Sequence, residues 1–456
     1  MELAQWISLG VNIIILILSI GISLLVFKLI KIEDSGYKML FVFYTLFWIP
    51  NMLCRNYTGV MHSAYGGAAS LLWLPMMVYG LIGIFARPLY DICAFFFKSR
   101  KRVIYLVLII EMITFIPIII HPGLATNVIQ SIGVGMGAGA IGIYELLFNE
   151  QYSKKRFFVT VSVLSMPPLI ADFITSPLQS IVSTFGETVD TLRWYWVIGL
   201  IFLTITFIFG IFVKEKPNLM YKDNEHKEKI ENKNDWFMFI LLMLIGCLLS
   251  FIKFSNSGGI AQMQLRYLDQ FYGAGTAKYY QGYLSMTFSF AQLCAGLLTG
   301  LFLVKKIGKF WTFTLGCVVW ISYETAVTFI LNPYAFTAIH FLNGFSYGIV
   351  YNLVLGTVLQ RCFAKTNKIS PMGVYQGMLS AGIMASTWFT SWMKADIFVN
   401  GKIANADEFI RINAIVDGVV IGCIVVMWIL FCIKTYWDKK IVNQPGKLNI
   451  NEKSSN

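Results

Sequence analysis

Charged side chains are scarce in this chain. They make up 13% of its 456 residues, whereas hydrophobic residues make up 57%. An ordinary soluble domain has about 25% charged residues, which keep large apolar patches out of contact with water. The shortage of charge therefore excludes a typical water-soluble fold and indicates that much of the surface lies in lipid.

The residue patterns of metal centres, nucleotide sites and catalytic clusters are also missing. The chain has 4 histidines, and its 8 cysteines form no CxxC pair. No GxxxxGK[ST] loop, HxxxH pair or DxD pair occurs, so neither ATP nor a metal has a recognisable site. We predict free thiols, no metal, no cofactor and no enzymatic activity. A channel is disfavoured as well, since no repeated ring of charges or filter-like loop occurs.

Long apolar segments occupy most of the chain. A helix needs roughly 20 apolar residues to cross the hydrocarbon core, and thirteen segments approach or exceed that length. The predicted spans are 7–30, 39–60, 69–97, 103–121, 124–148, 157–178, 195–213, 236–257, 281–304, 310–331, 335–360, 371–393 and 410–433. The first span is expected to be retained rather than cleaved, because no Lys or Arg precedes it and no small-residue cleavage site follows.

Lys and Arg concentrate in alternate loops, such as 98–102 and 154–156. Positively charged loops stay on the cytoplasmic side. This pattern predicts a multi-pass protein of the cell membrane, with a cytoplasmic C-terminus and the N-terminus outside. The net charge of +12 belongs mainly to these loops, so the expected partner is the anionic inner leaflet rather than nucleic acid.

A polar segment rich in Lys, Glu and Asn, at 214–235, interrupts the apolar pattern. We predict a cytoplasmic linker there, between an N-terminal bundle at 36–213 and a C-terminal bundle at 236–435. An extra transmembrane helix at 1–35 precedes the first bundle, and a cytoplasmic tail at 436–456 follows the second. The predicted fold is an all-α integral membrane protein of two six-helix bundles with one extra N-terminal transmembrane helix.

The two halves are alike in plan. Each has a basic loop after its second span, at 98–102 and 305–309, and a glycine-rich fourth span, at 133–139 and 343–348. Such halves joined by a charged linker are typical of secondary transporters, which bind solute at the midplane between them. Over residues 39–435 the chain resembles the major facilitator superfamily. That resemblance implies its fold and transport by alternating access.

The turn after the second span matches the gate motif of that superfamily in part. Arg87, followed by Pro-Leu, and the basic cluster with Arg100 and Lys101 fit the motif. Phe95 stands where the motif has an acidic residue, and the nearest carboxylate is Asp91. The resemblance implies that these residues latch the cytoplasmic gate. The i,i+4 spacing would allow Arg87 and Asp91 to pair in place of the missing acid.

Two cations lie deep in predicted spans, at matching positions of the two halves. Arg55 and Lys253 are each roughly 25 Å along their helices from the cytoplasmic end. Tyr44, Trp48 and Asn51 share the helical face of Arg55, since their spacing is three or four residues. An ionisable residue inside a span indicates a functional site. A face with aromatic rings, an amide and a fixed cation suits the binding of an anionic solute.

The two cations and the segment 52–57 resemble the organophosphate:phosphate antiporter branch of the superfamily. This likeness implies a phosphorylated solute, which Arg binds bidentately and Lys binds as a point charge. Lys253 stands where that branch usually has Arg, and the span 157–178 contains no histidine. The alternative is that Arg55 and Lys253 extend to the outer interface as membrane anchors.

A second polar stripe lies in the C-terminal half. His340, Asn343, Tyr347 and Tyr351 recur at steps of three, four and four on one span. With Gln376 on the next span, they are predicted to line the solute path, where a histidine can switch its charge or donate to a phosphate. The alternative is a packed aromatic face, with Gln376 in a hydrogen bond between helices.

Four carboxylates in spans are candidates for proton coupling. Asp172 is the preferred one, because prolines on both sides of it predict a kinked helix of the inner bundle. Glu111 and Glu324 lie on the third helix of each half, which is peripheral in the family that the chain resembles. Glu145 is predicted to lie near the cytoplasmic face, in contact with water.

These patterns predict a secondary active transporter. Its solute would be a small polar molecule, anionic and organophosphate-like if the two cations bind it. The alternative is a proton-coupled carrier or exporter of neutral or lipophilic molecules that uses Asp172. The bilayer and the solute are the expected partners, and we expect a monomer.

Overall fold

The structure is a computed structural model. It describes residues 3–29, 35–151, 165–215, 233–272, 275–362, 371–400 and 406–442. Regular structure in these residues is helical throughout, as the sequence predicts. Most of the predicted linker, the basic loop at 154–156 and the end of the predicted tail lie outside the described residues.

The first part of the chain, residues 35–215, is called the N half here. A separate helix, α1, precedes it. The helices are α1 (Leu3–Leu29), α2 (Ser35–Arg55), α3 (Thr58–Ala64), α4 (Trp73–Phe97), α5 (Arg100–Ile120), α6 (Leu124–Gly139), α7 (Ile141–Gln151), α8 (Met166–Thr184), α9 (Val189–Leu192) and α10 (Trp194–Gly210). The 3₁₀ turn Ala69–Leu71 leads into α4.

The second part, residues 233–442, is called the C half. Its helices are α11 (Lys233–Ser255), α12 (Gly259–Tyr272), α13 (Ala277–Tyr280), α14 (Tyr283–Leu298), α15 (Val304–Val327), α16 (Pro333–Cys362), α17 (Pro371–Asn400) and α18 (Ala406–Val442). A π-helical turn at Thr299–Leu303 joins α14 to α15.

Nine helical stretches of the described residues are long and apolar enough to cross a membrane. Five of them contain more than one helical element: Ala69–Phe97, Leu124–Leu147, Val189–Gly210, Phe237–Tyr272 and Ala277–Val327. In lipid the backbone has no water to bond with, so an apolar segment satisfies its polar groups internally by forming a helix. The protein is therefore a multi-pass, all-α membrane protein.

Helix ends differ from the predicted spans where polar residues are buried. α8 continues past the predicted end at residue 178, because Gln179 and Ser183 are bonded inside the protein. Gln179 Nε2 donates to Met52 O at 3.0 Å, and Ser183 Oγ lies 2.7 Å from Tyr195 Oη. Polarity therefore does not mark the end of this helix.

The two halves meet along two pairs of helices. α4 of the N half packs along α17 of the C half, and α8 packs along α14. Glycines permit the close approach of the second pair: a Cβ atom added to Gly282, at the start of α14, would lie 1.8 Å from Ser176 O of α8. These two contacts enclose the interior of the bundle.

The helix α1 packs on α8 and also reaches the C half. Ser8 Oγ lies 3.2 Å from Thr184 Oγ1 of α8. Asn12 Nδ2 donates to Tyr279 O at 3.2 Å, and Asn12 Oδ1 accepts a hydrogen bond from Tyr283 Oη. The remaining surface of α1 is mostly exposed and apolar. α1 therefore contacts both halves of the bundle through a narrow polar face.

Candidate functional site

A cavity lies between the N half and the C half. It contains about 1010 Å³ of space that protein atoms do not occupy. Helices of both halves form its wall, principally α2, α4, α7 and α8 on one side and α11, α14, α16 and α17 on the other. The predicted site residues on this wall are Tyr44, Trp48, Arg55, Arg87, Asp172, Lys253, His340, Tyr347, Tyr351 and Gln376.

Arg55 is the last residue of α2 and is partly exposed to the cavity. Its Cζ atom lies 5.7 Å from the ring centre of Tyr79 and 5.5 Å from that of Phe254. Nη1 donates to Tyr79 Oη at 3.4 Å, and Nη2 contacts Met52 Sδ at 3.3 Å. All of these neighbours are uncharged, so they hold the guanidinium in place without neutralising it.

Lys253 lies near the end of α11, on the opposite wall. Its Nζ atom is 4.2 Å from the ring centre of Tyr347, 5.2 Å from that of Phe254 and 5.3 Å from that of Phe288. Aromatic faces attract a cation without removing its charge. The ring of Phe254 is a neighbour of both cations.

No ion pair within 4.0 Å compensates either cation in the described part of the chain. Asp172 is an opposite charge that interacts electrostatically with both. Asp172 is 5% exposed, and its Oδ2 atom accepts a hydrogen bond from Ser289 of the other half. The cavity wall therefore carries the cations Arg55, Arg87 and Lys253 and the carboxylates Glu145 and Asp172. Arg55 and Lys253 lie on this wall and not at the lipid interface.

Asn51 and Asn343 were predicted to line the solute path, but neither residue lies on the cavity wall. Asn51 faces away from the cavity: a Cβ atom on Gly137 would lie 2.9 Å from its Nδ2 atom and 2.7 Å from Glu111 Oε2. Asn343 Oδ1 accepts a hydrogen bond from Trp320 Nε1 at 3.0 Å. A helical face borders neighbouring helices as well as the cavity, and a buried amide requires the polar partners that those helices supply.

One end of the cavity is closed by a hydrogen-bonded cluster that we call the Gln376 end. Arg87 Nη1 of α4 donates to Gln376 O at 2.5 Å and to Gln376 Oε1 at 2.6 Å. Gln376 Nε2 donates to Glu145 Oε2 at 2.7 Å, and Tyr351 Oη donates to Glu145 Oε1 at 3.1 Å. Every bond in this cluster joins the N half to the C half.

The gate-motif residues are arranged differently from the predicted pairing of Arg87 with Asp91. Arg87 reaches across to Gln376, while Asp91 Oδ1 lies 3.9 Å from Arg100 Nη1. Asp91 also packs against Gly373 at the start of α17, since a Cβ atom there would lie 2.2 Å from Asp91 Oδ2. Asp91 thus contacts both the basic cluster and the opposite half.

Lys101 and the start of α5 are fixed by a carboxylate that the sequence reading overlooked. Glu215 Oε2 accepts a hydrogen bond from Ser99 Oγ at 2.6 Å, and Glu215 Oε1 accepts one from Arg100 N at 2.9 Å. Lys101 Nζ donates to Val213 O at 2.5 Å. The basic loop is therefore tied to the end of the N half.

The opposite end of the cavity, which we call the Arg266 end, is also closed by contacts between the halves. Arg266 of α12 forms an ion pair with Glu187. Asn56 Nδ2 donates to Ser285 Oγ at 3.0 Å. The backbone N–H of Gly282 donates to Ser180 Oγ at 3.0 Å. Contacts between the N half and the C half are thus present at both ends of the cavity in this conformation.

Several buried charged residues were missed or misplaced in the sequence reading. Glu145, predicted to contact water, is 2% exposed and lies in the Gln376 end. Lys394 lies just past the predicted end of its span, yet α17 continues to Asn400 and Lys394 is fully buried. Asp417 lies inside a predicted span and is 2% exposed. An ionisable residue within a span was the signal that identified Arg55, and it applies equally to Asp417.

Three solved structures that share this fold are named as transporters. A variant of the nucleoside transporter NupG aligns with a TM-score of 0.61 over 87% of this chain and 100% of its own, at 14% identity. NupG itself aligns with a TM-score of 0.59 over 87% and 99%, also at 14% identity. The human organic anion transporter MFSD10 gives a TM-score of 0.59 over 87% and 100%, at 11% identity. These similarities confirm the predicted all-α membrane fold.

No protein-family model and no curated protein sequence matches the chain.

Proposed function

We propose that the protein is a secondary transporter that moves a small anionic solute by alternating access. The observation that supports this most directly is the pair Arg55 and Lys253, which line one cavity between the halves without an ion pair in the described residues. Two partly desolvated cations are costly in a membrane unless an anion offsets them. An organophosphate-like solute would satisfy both, since Arg offers a bidentate fork and Lys a point charge.

Alternating access follows from the two closed ends. The cluster at the Gln376 end and the contacts at the Arg266 end both join the N half to the C half. In the proposed cycle, the contacts at one end of the cavity break while the contacts at the other end remain. The predicted bundles at 36–213 and 236–435 would move as the two bodies, with the linker at 214–235 between them. The Gln376 end would face the cytoplasm, in agreement with the basic loops.

The neighbouring structures support a transporter rather than an enzyme, since each is named for transport. They do not favour one solute, because one name specifies nucleosides and the other organic anions. We further propose the cell membrane as the location, with the C-terminus in the cytoplasm, the N-terminus outside and the protein acting as a monomer.

Counterflow in proteoliposomes tests the proposed solute class. Vesicles preloaded with inorganic phosphate receive labelled sugar phosphates, glycerol phosphates or the matching neutral compounds. Exchange of a phosphorylated compound is expected. Removing one charge-assisted contact costs about 1.5–3 kcal/mol, so Arg55→Ala and Lys253→Ala should each weaken its half-saturation roughly 10- to 150-fold.

Matched controls come from cations outside the cavity. Arg193→Ala removes an arginine paired with Asp190 at the surface, and Lys278→Ala removes a lysine that stacks on Tyr279. Both should leave exchange unchanged. Unchanged exchange of every phosphorylated compound in Arg55→Ala and Lys253→Ala would contradict the site assignment.

The second candidate function is a proton-coupled carrier of neutral or lipophilic molecules. It is supported by Asp172, which lies on the cavity wall and has an Oδ1 atom without a hydrogen-bond partner in the described residues. Exchange of neutral compounds alone, abolished by Asp172→Asn, would favour this function over the first.

A further inference from the structure

A second group of buried charges lies in the C half, away from the cavity wall. Glu324 of α15 and Asp417 of α18 are 0% and 2% exposed. Asn256, in the turn after α11, joins them: its Nδ2 atom lies 2.5 Å from Glu324 Oε2 and 3.2 Å from Asp417 Oδ1. Both oxygens contact the same nitrogen, so the two carboxylates lie within the roughly 6 Å at which like charges resist ionising together.

The positive charge of Lys394 cannot balance the negative charges of both carboxylates. Lys394 of α17 interacts electrostatically with both carboxylates. Its Nζ atom donates to Gln264 Oε1 of α12 at 2.9 Å, and it lies more than 4.0 Å from either carboxylate. Two carboxylates and one ammonium leave an excess negative charge in a medium that solvates charge poorly. One added proton makes the group neutral.

The hydrogen bonds show which carboxylate holds that proton. Asp417 accepts two bonds, from Asn256 Nδ2 and from Thr328 Oγ1, the latter at 2.7 Å. Glu324 accepts one bond on Oε2, while its Oε1 atom is buried without a partner in the described residues. Donated hydrogen bonds stabilise a carboxylate. This difference in hydrogen bonding favours Asp417 as the ionised member and Glu324 as the protonated one.

A further unpartnered side chain points to a binding site here. Asn413 precedes Asp417 by one turn on the same face of α18 and is 1% exposed. Neither its Oδ1 nor its Nδ2 atom has a hydrogen-bond partner in the part of the chain that is described. A buried amide without partners is costly unless a bound species occupies it at some stage of function.

The pair is connected to the solute cavity. Asn256 follows Lys253 by one turn, and its carbonyl oxygen lies 2.9 Å from His340 Nε2, whose ring lines the cavity. Tyr323, next to Glu324, lies 3.4 Å from His340 Nδ1 through its hydroxyl. A displacement of Lys253 by a solute would therefore move the amide that bridges the two carboxylates.

We propose that Glu324 and Asp417 together bind one proton, which is released and rebound during the transport cycle. The coupling to transport rests on the proposed function, whereas the proton site itself is tested without any solute. The titratable or charged groups around the pair are Tyr323 on α15 and Lys394 on α17. His340 on α16 contacts Tyr323 and the carbonyl oxygen of Asn256. Asp172, the carboxylate in the cavity, is separate from this site.

Infrared difference spectroscopy on the protein in lipid nanodiscs, across a pH titration, detects a protonated carboxyl group directly. The wild type should show a carboxyl C=O band that titrates, and Glu324→Gln should lose it. Asp417→Asn should also lose that band at neutral pH although Glu324 is still present, because Lys394 then balances a single carboxylate. Glu111→Gln is the matched control, since Glu111 is an equally buried glutamate on the third helix of the N half, and it should retain the band.

Three results would overturn the proposal. Glu324→Gln could retain every titrating carboxyl band. Asp417→Asn could retain the Glu324 band, in which case burial alone holds the proton and no shared site exists. Sodium in place of choline could remove the band, which would assign the pair to a sodium ion. Melting temperatures near that of the wild type confirm that each variant is folded. Failure of the phosphate exchange assay would count against the proposed function. It would not affect the infrared evidence for the proton site.

Discussion

The substitution Gln376→Ala is expected to open the Gln376 end of the cavity. The side chain accepts one hydrogen bond from Arg87 at 2.6 Å and donates one to Glu145 at 2.7 Å, and both partners are charged groups of the N half. A hydrogen bond to a charged group contributes about 1.5–3 kcal/mol. Loss of both should therefore cost the closed state at least about 3 kcal/mol, or roughly two orders of magnitude in the ratio of open to closed molecules.

Distances between spin labels at Lys98→Cys and Lys306→Cys measure this opening, in a background without the native cysteines. The first label follows α4 of the N half, and the second lies on α15 of the C half. Gln376→Ala should shift the distance distribution towards longer values. The backbone bond from Arg87 to Gln376 O remains, so a shift smaller than calculated would indicate that this bond holds the end closed.

Gln130→Ala is the matched control for this measurement. Gln130 is as buried as Gln376, but its hydrogen bonds to Thr58 and Asn127 stay within the N half. It should lower the melting temperature without altering the distances. An unchanged distribution in Gln376→Ala, or an equal shift in Gln130→Ala, would refute the gate assignment.

Two further predictions concern packing and α1. Gly282→Ala places a Cβ atom against Ser176 O and should destabilise the α8–α14 contact by about 1–3 kcal/mol, seen as a lower melting temperature. Gly418→Ala is the control, because no atom lies within 4 Å of the added Cβ. This variant should be neutral or stabilising by up to about 1 kcal/mol. A similar loss of stability in both variants would contradict the packing argument. Asn12→Leu removes the bonds from α1 to Tyr279 and Tyr283. Asn12→Leu should therefore make α1 more susceptible to protease cleavage. Ile14→Leu, on the lipid-facing side of α1, should leave the cleavage rate unchanged. Equal cleavage rates in the two variants would mean that apolar packing holds α1 in place.

The sequence predicted the helical spans because a chain in lipid has few alternatives. Apolar segments of sufficient length become helices, and most of the predicted spans that fall in the described residues are helical. The predicted span 39–60 is interrupted after Arg55, and residues 157–164 of another predicted span lie outside the described residues. It also identified Arg55 and Lys253, because a cation far inside a span is costly and stands out against apolar neighbours. Both residues lie on the wall of one cavity.

The direction of individual side chains could not be predicted. Helical spacing assigned Asn51 to the cavity face, yet the amide lies near Glu111 on a neighbouring helix. Depth along the chain assigned Glu145 to water, although Gln376 and Tyr351 of the other half bury and bond it. The contacts of Glu145 with Tyr351 and Gln376 join residues more than two hundred positions apart in the sequence. The spacing of residues within one helix carries no information about such contacts.

The sequence by itself determined that this protein is a set of membrane helices with two cations deep inside, since hydrophobicity and the cost of buried charge act locally. The tertiary structure alone decided which charges meet. It brings Arg87, Gln376 and Glu145 together at one end of the cavity, and it brings Glu324, Asp417 and Lys394 together from three helices of the C half. Pairing of this kind depends on how helices pack against one another, which is fixed by the shapes of whole surfaces and not by any single segment.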